Sequence, residues 1–425
     1  VKSFDCDLQL HGPYAGGVSK YLSIPLLAEQ SRLKGLEILV TGDIQHQKWF
    51  EHVNAHLIEN QNGVYMDKDE KTFFIIGTEV EDHHRIHHLI YLPDLTAAAE
   101  FREKVKPFGI LDCSMCGRPK LRQSPEQLSQ IVSDVGGFMG PGHSFTPYTG
   151  LFSRYDSVAE AYGDQAKKIP FLELGLSADT DMADTILSNH QYAFLSSSDA
   201  HSAWPHRLGR EWNRIRLKEP SFKELETAVW DRSGERIEFN AGLNPREGKY
   251  HATACNLCYT QYPLRDAIES FKMKCPACGG DIKRGVADRI KMLSDTPTGK
   301  HPSFRPPYKH QLPLAEIIQL ALFAKSPMTK NVQSKWRDYI DVYKDEINVL
   351  IDAPESELIE TNPEIGNKIK AFRNGLVYYT PGGGGKYGEP HLFDSQKEMD
   401  QFVLEAGKRS REKNKFSGQK SLKGF

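Results

Sequence analysis

Along residues 1 to about 245, short apolar runs recur, each followed by a polar turn and a stretch with apolar residues at helical spacing. The runs that read as strands are Phe4–Leu10, Leu36–Thr41, Phe73–Thr78, Ile86–Leu92, Gly137–Gly142, Pro170–Leu174 and Ala193–Ser197. Strands alternating with helices predict βαβ units and a mainly parallel sheet, open or closed into a barrel. Beyond residue 312 the pattern changes. Leu314–Ala324 and Asn331–Ile351 read as amphipathic helices whose apolar stripes belong to a core, and another helix runs to Arg373, where Asn374-Gly375 fits a C-cap or turn. From about Lys408 the apolar pattern is lost, and Lys408, Arg409, Arg411, Lys413, Lys415, Lys420 and Lys423 make a basic tail.

Between these two regimes stand Cys255, Cys258, Cys275 and Cys278. Two C-x-x-C pairs can offer four thiolates to one tetrahedral ion, and the spacing is that of a zinc ribbon, with a disulfide pair as the alternative. The chain thus divides into residues 1–245, a ribbon at 246–284, a mainly helical region at 285–407 and the tail at 408–425. A length of 425 residues agrees, since it exceeds what one core usually serves. The hydrophobic content of 39% and charged content of 26% are those of an ordinary globular protein. A net charge of -2 does not exclude nucleic-acid binding, because the positive charge is concentrated locally. With no run of about 18 apolar residues and no signal-like start, the expectation is a cytoplasmic protein without a membrane partner. Cys113 and Cys116 have no second pair nearby and read as structural thiols in a reducing compartment.

Metal-ligating residue types cluster where the predicted strands end. Asp7, Gln9 and His11 close the first, Asp43 and His46 follow the second, and Glu79 closes the third. His88 lies in the fourth, His143 follows the fifth, Glu173 ends the sixth, and Asp199 and His201 follow the seventh. In α/β barrels the carboxyl ends of strands carry the chemistry, so the set points to a polynuclear metal site. Adjacent His87 and His88 face opposite sides of a strand, and only one can reach it.

The stretches Asp7-Leu-Gln9-Leu-His11, Thr41-Gly-Asp43, Gly77-Thr-Glu79, His87-His88, Pro141-Gly-His143 and Ser198-Asp199-Ala-His201 resemble the PHP (polymerase and histidinol phosphatase) family. With the ribbon and a C-terminal region holding Arg305-Pro-Pro-Tyr308, the order is similar to the endonuclease Q family. Supporting stretches are Thr41–His46, Gly117-Arg-Pro119, Phe145-Thr-Pro147, Glu173–Ala178 and Leu208-Gly-Arg210. The resemblance implies a distorted seven-stranded β/α barrel with up to three metal ions, then the ribbon and a mainly helical region. It also implies an enzyme, a DNA repair endonuclease cutting 5′ to uracil, hypoxanthine, xanthine or an abasic site and leaving a 3′-hydroxyl and a 5′-phosphate. Carried over, His11, Glu79 and Asp199 hold one ion, Glu79, His88 and His143 a second, and Asp43 and His201 contribute to a third. Asp199, Glu79, His11 and Asp43 become the catalytic set, and His87 is left to a surface or DNA-facing role. Gln9 and Gly42-Asp43 depart from the usual His-rich pattern, which weakens the third site and shifts preference towards Mg²⁺ or Mn²⁺, while Zn²⁺ suits the ribbon and remains open for the active site.

Arg305, Tyr308, Lys309, Lys386 and Tyr387 suit contacts to duplex DNA by pairing phosphates and stacking bases; a Pro-rich linker with solvated charge is the competing reading. Gly382–Gly385 reads either as a loop approaching a phosphate or lesion, or as a surface loop. An enzyme acting on a damaged base in duplex DNA must extrude it. The final Gln419-x-x-Leu422-x-x-Phe425 resembles the peptide that docks repair proteins on sliding clamps. Two other functions compete: a phosphoesterase of small monoesters, and a DNA-binding protein whose metal site has decayed.

Overall fold

A computed structural model of the chain describes residues 1–60, 63–69 and 71–420, with 409–420 as backbone only. It separates into two units. The first takes Val1–Leu243, Leu293–Pro313 and Lys344–Ile347; the second takes Asn244–Met292, Leu314–Tyr343 and Asn348–Phe425.

The strands of the first unit are β1 (Lys2–Asp7), β2 (Ile38–Val40), β3 (Leu57–Asn60), β4 (Val64–Asp67), β5 (Phe73–Glu81), β6 (His87–Leu92), β7 (Phe138–Pro141), β8 (Phe171–Glu173), β9 (Ala193–Leu195), β10 (Trp212–Leu217) and β11 (Ile237–Gly242). All seven expected strands are present, with the β3–β4 hairpin and β10–β11 in addition. The sheet is more mixed than expected. β1, β2 and β5 pair in parallel, but β5–β6, β6–β7, β1–β10 and β10–β11 are antiparallel. Residues 82–86 joining β5 to β6 are too few for the crossover that a parallel pair requires. The last segment of the unit, Tyr308–His310, adds a parallel strand beside β11.

The sheet bends round upon itself. Ser144 N donates to Glu173 O at 2.8 Å, linking the end of β7 to β8, and β8 pairs with β9. The Asn213 side chain on β10 holds Ser196 through both its amide atoms, at 2.8 and 2.7 Å. A bridge between Leu10 and Ala200 completes the circuit. β1 stops at Asp7 rather than Leu10 because the buried Asp7 carboxylate takes the backbone N–H groups of Ser198 and Gly209, at 3.0 and 2.9 Å. Burial lifts the pKa of Asp7 to about 6 against those hydrogen bonds.

Helices pack outside the strands, and their ends follow local rules. Ile24–Lys34 starts with Ser23 accepting from Leu26 N and with Pro25 in the first turn, and stops at Gly35 with φ 99°. Pro125–Asp134 opens with a capping box of Ser124 and Gln127.

In the second unit, Ala254–Cys255 pairs with Ile282–Lys283 to frame the ribbon, over a small core of Tyr262, Ala267 and Ile282. Helices Leu314–Ala321, Lys330–Tyr343, Glu355–Thr361 and Pro363–Arg373 make its larger core. The Arg373 guanidinium is spent on the carbonyls of Val349, Leu350 and Ala353 at 2.6–3.0 Å. Residues 408–420 of the segment read as a basic tail belong to helix Gln396–Lys420.

Candidate metal centre

Glu79, two residues before the end of β5, is the hub of a buried cluster. Its Oε2 lies 2.9 Å from His11 Nε2 and 3.2 Å from Gln9 Nε2. Its Oε1 lies 2.7 Å from His87 Nδ1 and 3.8 Å from His143 Nε2. Asp199 Oδ1 stands 3.2 Å from His11 Nε2, and the His201 ring is 4.7 Å from that of His11. Two sets of ligand atoms result, each within 4.8 Å: His11, Asp199 and His201, and Glu79, His87 and His143.

The donor set fits divalent cations. His11 Nε2, Glu79 Oε1, Asp199 Oδ1 and Gln9 Oε1 are buried polar atoms without a well-aligned hydrogen bond, a costly arrangement that metal coordination would relieve. Burial holds His143 at a pKa of about 4, so its imidazole is neutral, as ligation requires. Burial opposes charge on Asp199, but the contact with His11 and the charges of His11 and His143 together hold its pKa down to about 2. Three members also have left-handed backbone: Asp43 (φ 46°), His143 (φ 29°) and Asp199 (φ 49°). Such conformations cost on the order of 1–3 kcal/mol each away from glycine and concentrate at functional sites.

Structure corrects the choice between adjacent histidines. His87, not His88, enters the cluster. β6 runs antiparallel to β5 with Glu81 opposite His87, which brings the first residue of β6 beside Glu79. His88 faces away, with Nδ1 2.7 Å from Tyr162 Oη and Nε2 3.2 Å from Asp82. Asp43 likewise stands outside both sets of ligand atoms. Its Oδ1 lies 3.0 Å from His11 Nδ1 and its Oδ2 accepts from Gly12 N at 2.7 Å, so it orients the imidazole from behind. Gly42 precedes it because a Cβ there would meet Leu10 O at 2.2 Å, with φ 62°. Glu173 is buried and holds the His143 and Ser197 backbone, while His46 stacks on Tyr14 and contacts Cys113 O.

Arg118 entered the sequence reading only within the stretch Gly117-Arg-Pro119, with no role of its own, because nothing in the sequence places it beside Glu79. Its Nη1 stands 3.8 Å from Glu79 Oε2. Cys113 and Cys116, expected as separate thiols, form a disulfide in the same loop.

The four ribbon cysteines come together: Cys255 Sγ is 3.5 Å from Cys278 Sγ and Cys258 Sγ 3.6 Å from Cys275 Sγ, with all four inside 4.8 Å. Those separations suit a tetrahedron with bonds of about 2.3 Å, whose edges are about 3.8 Å. Arg305, expected on DNA, is instead internal. Its side chain is 1% exposed, it forks onto Asp184 at 2.9 Å, and its guanidinium lies 3.3 Å from the centre of the Phe194 ring. Tyr308 turns its hydroxyl inward to Glu211 at 3.4 Å. Lys309, Lys386 and Tyr387 remain exposed. Gly382–Gly384 is no surface loop: its backbone docks on Arg246 and Ala252, and a Cβ at Gly384 would meet Cys255 O at 2.1 Å. Leu422 and Phe425 lie outside the described residues, as does the side chain of Gln419.

A family model for the MJ0043 C-terminal domain matches residues 313–376. The Methanocaldococcus jannaschii protein MJ0043 is 48% identical over 252 residues, 58% of this chain but 31% of that protein, so the match spans about a third of its length. The lesion-specific endonuclease PfuEndoQ of Pyrococcus furiosus superposes with a TM-score of 0.86 at 44% identity, covering 92% of this chain and 96% of that one. The chain belongs to the endonuclease Q family. A second endonuclease Q structure, in complex with a 27-mer duplex bearing an abasic lesion at its active site, matches at TM-score 0.85 and 43% identity over 92% of this chain and 97% of that one.

Proposed function

We propose that this chain is a metal-dependent DNA repair endonuclease that cuts duplex DNA on the 5′ side of uracil, hypoxanthine, xanthine or an abasic site, leaving a 3′-hydroxyl and a 5′-phosphate. The observation that carries the reading is the convergence of His11, Glu79, His87, His143, Asp199 and His201 in a chain similar to endonuclease Q over its length. Divalent ions held by these residues would lower the pKa of a water and neutralise charge on the phosphate; mixed imidazole and carboxylate donors suit Mn²⁺, Mg²⁺ or Zn²⁺. Asp199 keeps 29% side-chain exposure, which leaves its carboxylate accessible to orient an attacking water. Asp43 fixes the His11 tautomer, and Gln9 spans Glu79 and His143.

The ribbon is read as a structural Zn²⁺ site. Lys249, 5.7 Å over the Tyr387 ring, and neighbouring Lys386 support contacts to a DNA backbone from the second unit. Docking of Gln419, Leu422 and Phe425 on a sliding clamp rests on their spacing; unchanged clamp binding after deletion of 419–425 would end that idea. No helix among the described residues is long and apolar enough to cross a membrane.

The decisive experiment incubates labelled duplexes carrying uracil, hypoxanthine, an abasic site or normal bases with the protein and Mg²⁺ or Mn²⁺. Nicks 5′ of the lesion that vanish in Asp199→Ala are expected. Absence of nicking with phosphate release from small monoesters would replace the reading by the phosphoesterase one, and binding without cleavage would favour the decayed site.

A further inference from the structure

Arg118 stands beside the metal cluster, facing it with charge but with no hydrogen bond to it. Its Nη1 is 3.8 Å from Glu79 Oε2, beyond hydrogen-bonding distance, and no hydrogen bond joins its guanidinium to the described residues. Its side chain is 32% exposed whereas that of Glu79 is 2% exposed, so the arginine reaches from the buried carboxylate towards solvent. Glu79 has nearer partners in His87 at 2.7 Å and His11 at 2.9 Å, so the arginine acts on it by charge alone. A partly sheltered arginine with uncommitted donors is an unfinished contact.

The backbone around Arg118 is pinned on both sides. Gly117 N donates to Tyr14 O at 2.8 Å, and Gln45 Nε2 donates to Gly117 O at 2.6 Å and to Cys116 O at 3.3 Å. A Cβ at Gly117 would lie 2.4 Å from Asp43 Oδ2 and 2.6 Å from Ala15 N. After Arg118, Glu81 N donates to Pro119 O at 2.9 Å, and Leu121 N returns to Glu81 O at 2.7 Å. The disulfide between Cys113 and Cys116 closes the turn before it. The main chain is therefore held against the strand ends that carry Asp43 and Glu79, and only the side chain is left to adjust.

We propose that Arg118 is a catalytic residue whose guanidinium grips a non-bridging oxygen of the scissile phosphate and stabilises the charge that builds there during cleavage. The inference rests on the endonuclease reading above. In that reaction water adds its hydroxide to phosphorus, the bond from phosphorus to the 3′ oxygen breaks, and a proton goes to the departing 3′ oxygen. Arg118 neither gives nor takes a proton. A planar fork with fixed charge suits the phosphate oxygens better than a point charge does.

The test couples a protein change to a substrate change. Binding of an abasic duplex is measured by fluorescence anisotropy with the scissile phosphate intact or replaced by a neutral methylphosphonate, in Mn²⁺-loaded wild type and in Arg118→Gln. The methylphosphonate should weaken wild type about tenfold and Arg118→Gln clearly less, because the two changes remove one contact. On the normal substrate, kcat of Arg118→Gln should fall about 100-fold, with KM rising by no more than about tenfold, the loss that goes with the ground-state contact. Arg118→Lys covers the case in which the glutamine variant does not fold: it should bind like wild type yet lose about tenfold in kcat, since an ammonium cannot fork. If wild type itself makes no nick, the endonuclease reading fails. If wild type nicks, but the binding losses are additive and kcat is unchanged in the folded variants, the assignment of Arg118 alone is overturned.

Discussion

Exchanging each of the adjacent histidines, His87 and His88, for asparagine separates metal ligation from folding. His88 and Asp82 are both 0% exposed and 3.2 Å apart, and His88 also takes Tyr162 Oη at 2.7 Å. Removing one partner of a buried pair costs about 3–5 kcal/mol. Asp82 keeps the backbone N–H groups of His84 and Ile86, both at 2.8 Å, so the lower end applies. At roughly 2–4 °C per kcal/mol for a unit of this size, His88→Asn should melt at least about 6 °C lower. It should still bind metal. His87→Asn should instead lose metal affinity by at least the 10–100-fold typical of changes at supporting residues, and nicking with it. Metal content after dialysis against limiting Mn²⁺, with melting curves in EDTA, reads both quantities. Metal loss in His88→Asn alongside full occupancy in His87→Asn would refute the geometry.

Other perturbations test separate parts. In Cys258→Ser the ribbon should lose Zn²⁺ and the second unit should unfold, while Mn²⁺ bound by the first unit stays; equal loss of both ions would show that the cysteines do more than build the ribbon. Burial, then the charge of Glu316, lifts the Glu247 pKa from 4.5 to about 8. A raised carboxyl pKa means stability is full below pH 4.5 and falls as pH rises to 8, by up to roughly 5 kcal/mol. Glu247→Gln should flatten that fall in urea denaturation of the second unit, and an unchanged pH profile would count against it. Gly117→Ala should push Asp43 off His11 and lower kcat by on the order of 10²-fold while leaving duplex affinity nearly intact. Lys34→Met should cost about 3–5 kcal/mol, because it removes the buried charge partner 2.6 Å from Glu346; a melting curve within a degree of wild type would show the pair to be dispensable.

Much of this protein was determined by sequence alone. The seven apolar runs became strands because burial on both faces leaves a run of apolar residues little alternative. The C-x-x-C pairs foretold the sulfur cluster because two tight knuckles already place each pair of thiols, whatever surrounds them. His11, Glu79, His143, Asp199 and His201 were legible because they recur at strand ends, which a barrel gathers at one face. What the tertiary structure alone decided is which face, and which partner. His87 replaced His88 because an antiparallel register is set by pairing across 79–88, and a one-residue difference turns a side chain to the opposite side. Asp43 moved behind His11 because the left-handed backbone at Gly42 and Asp43 aims the carboxylate at Nδ1. Arg305 left the expected DNA surface for the core because its partner, Asp184, lies 121 residues away. Arg118 acquired meaning in the same way, from Glu79. Charge and aromatic content are the same on a surface and in a core; only the distant residues that complete each contact tell the two apart.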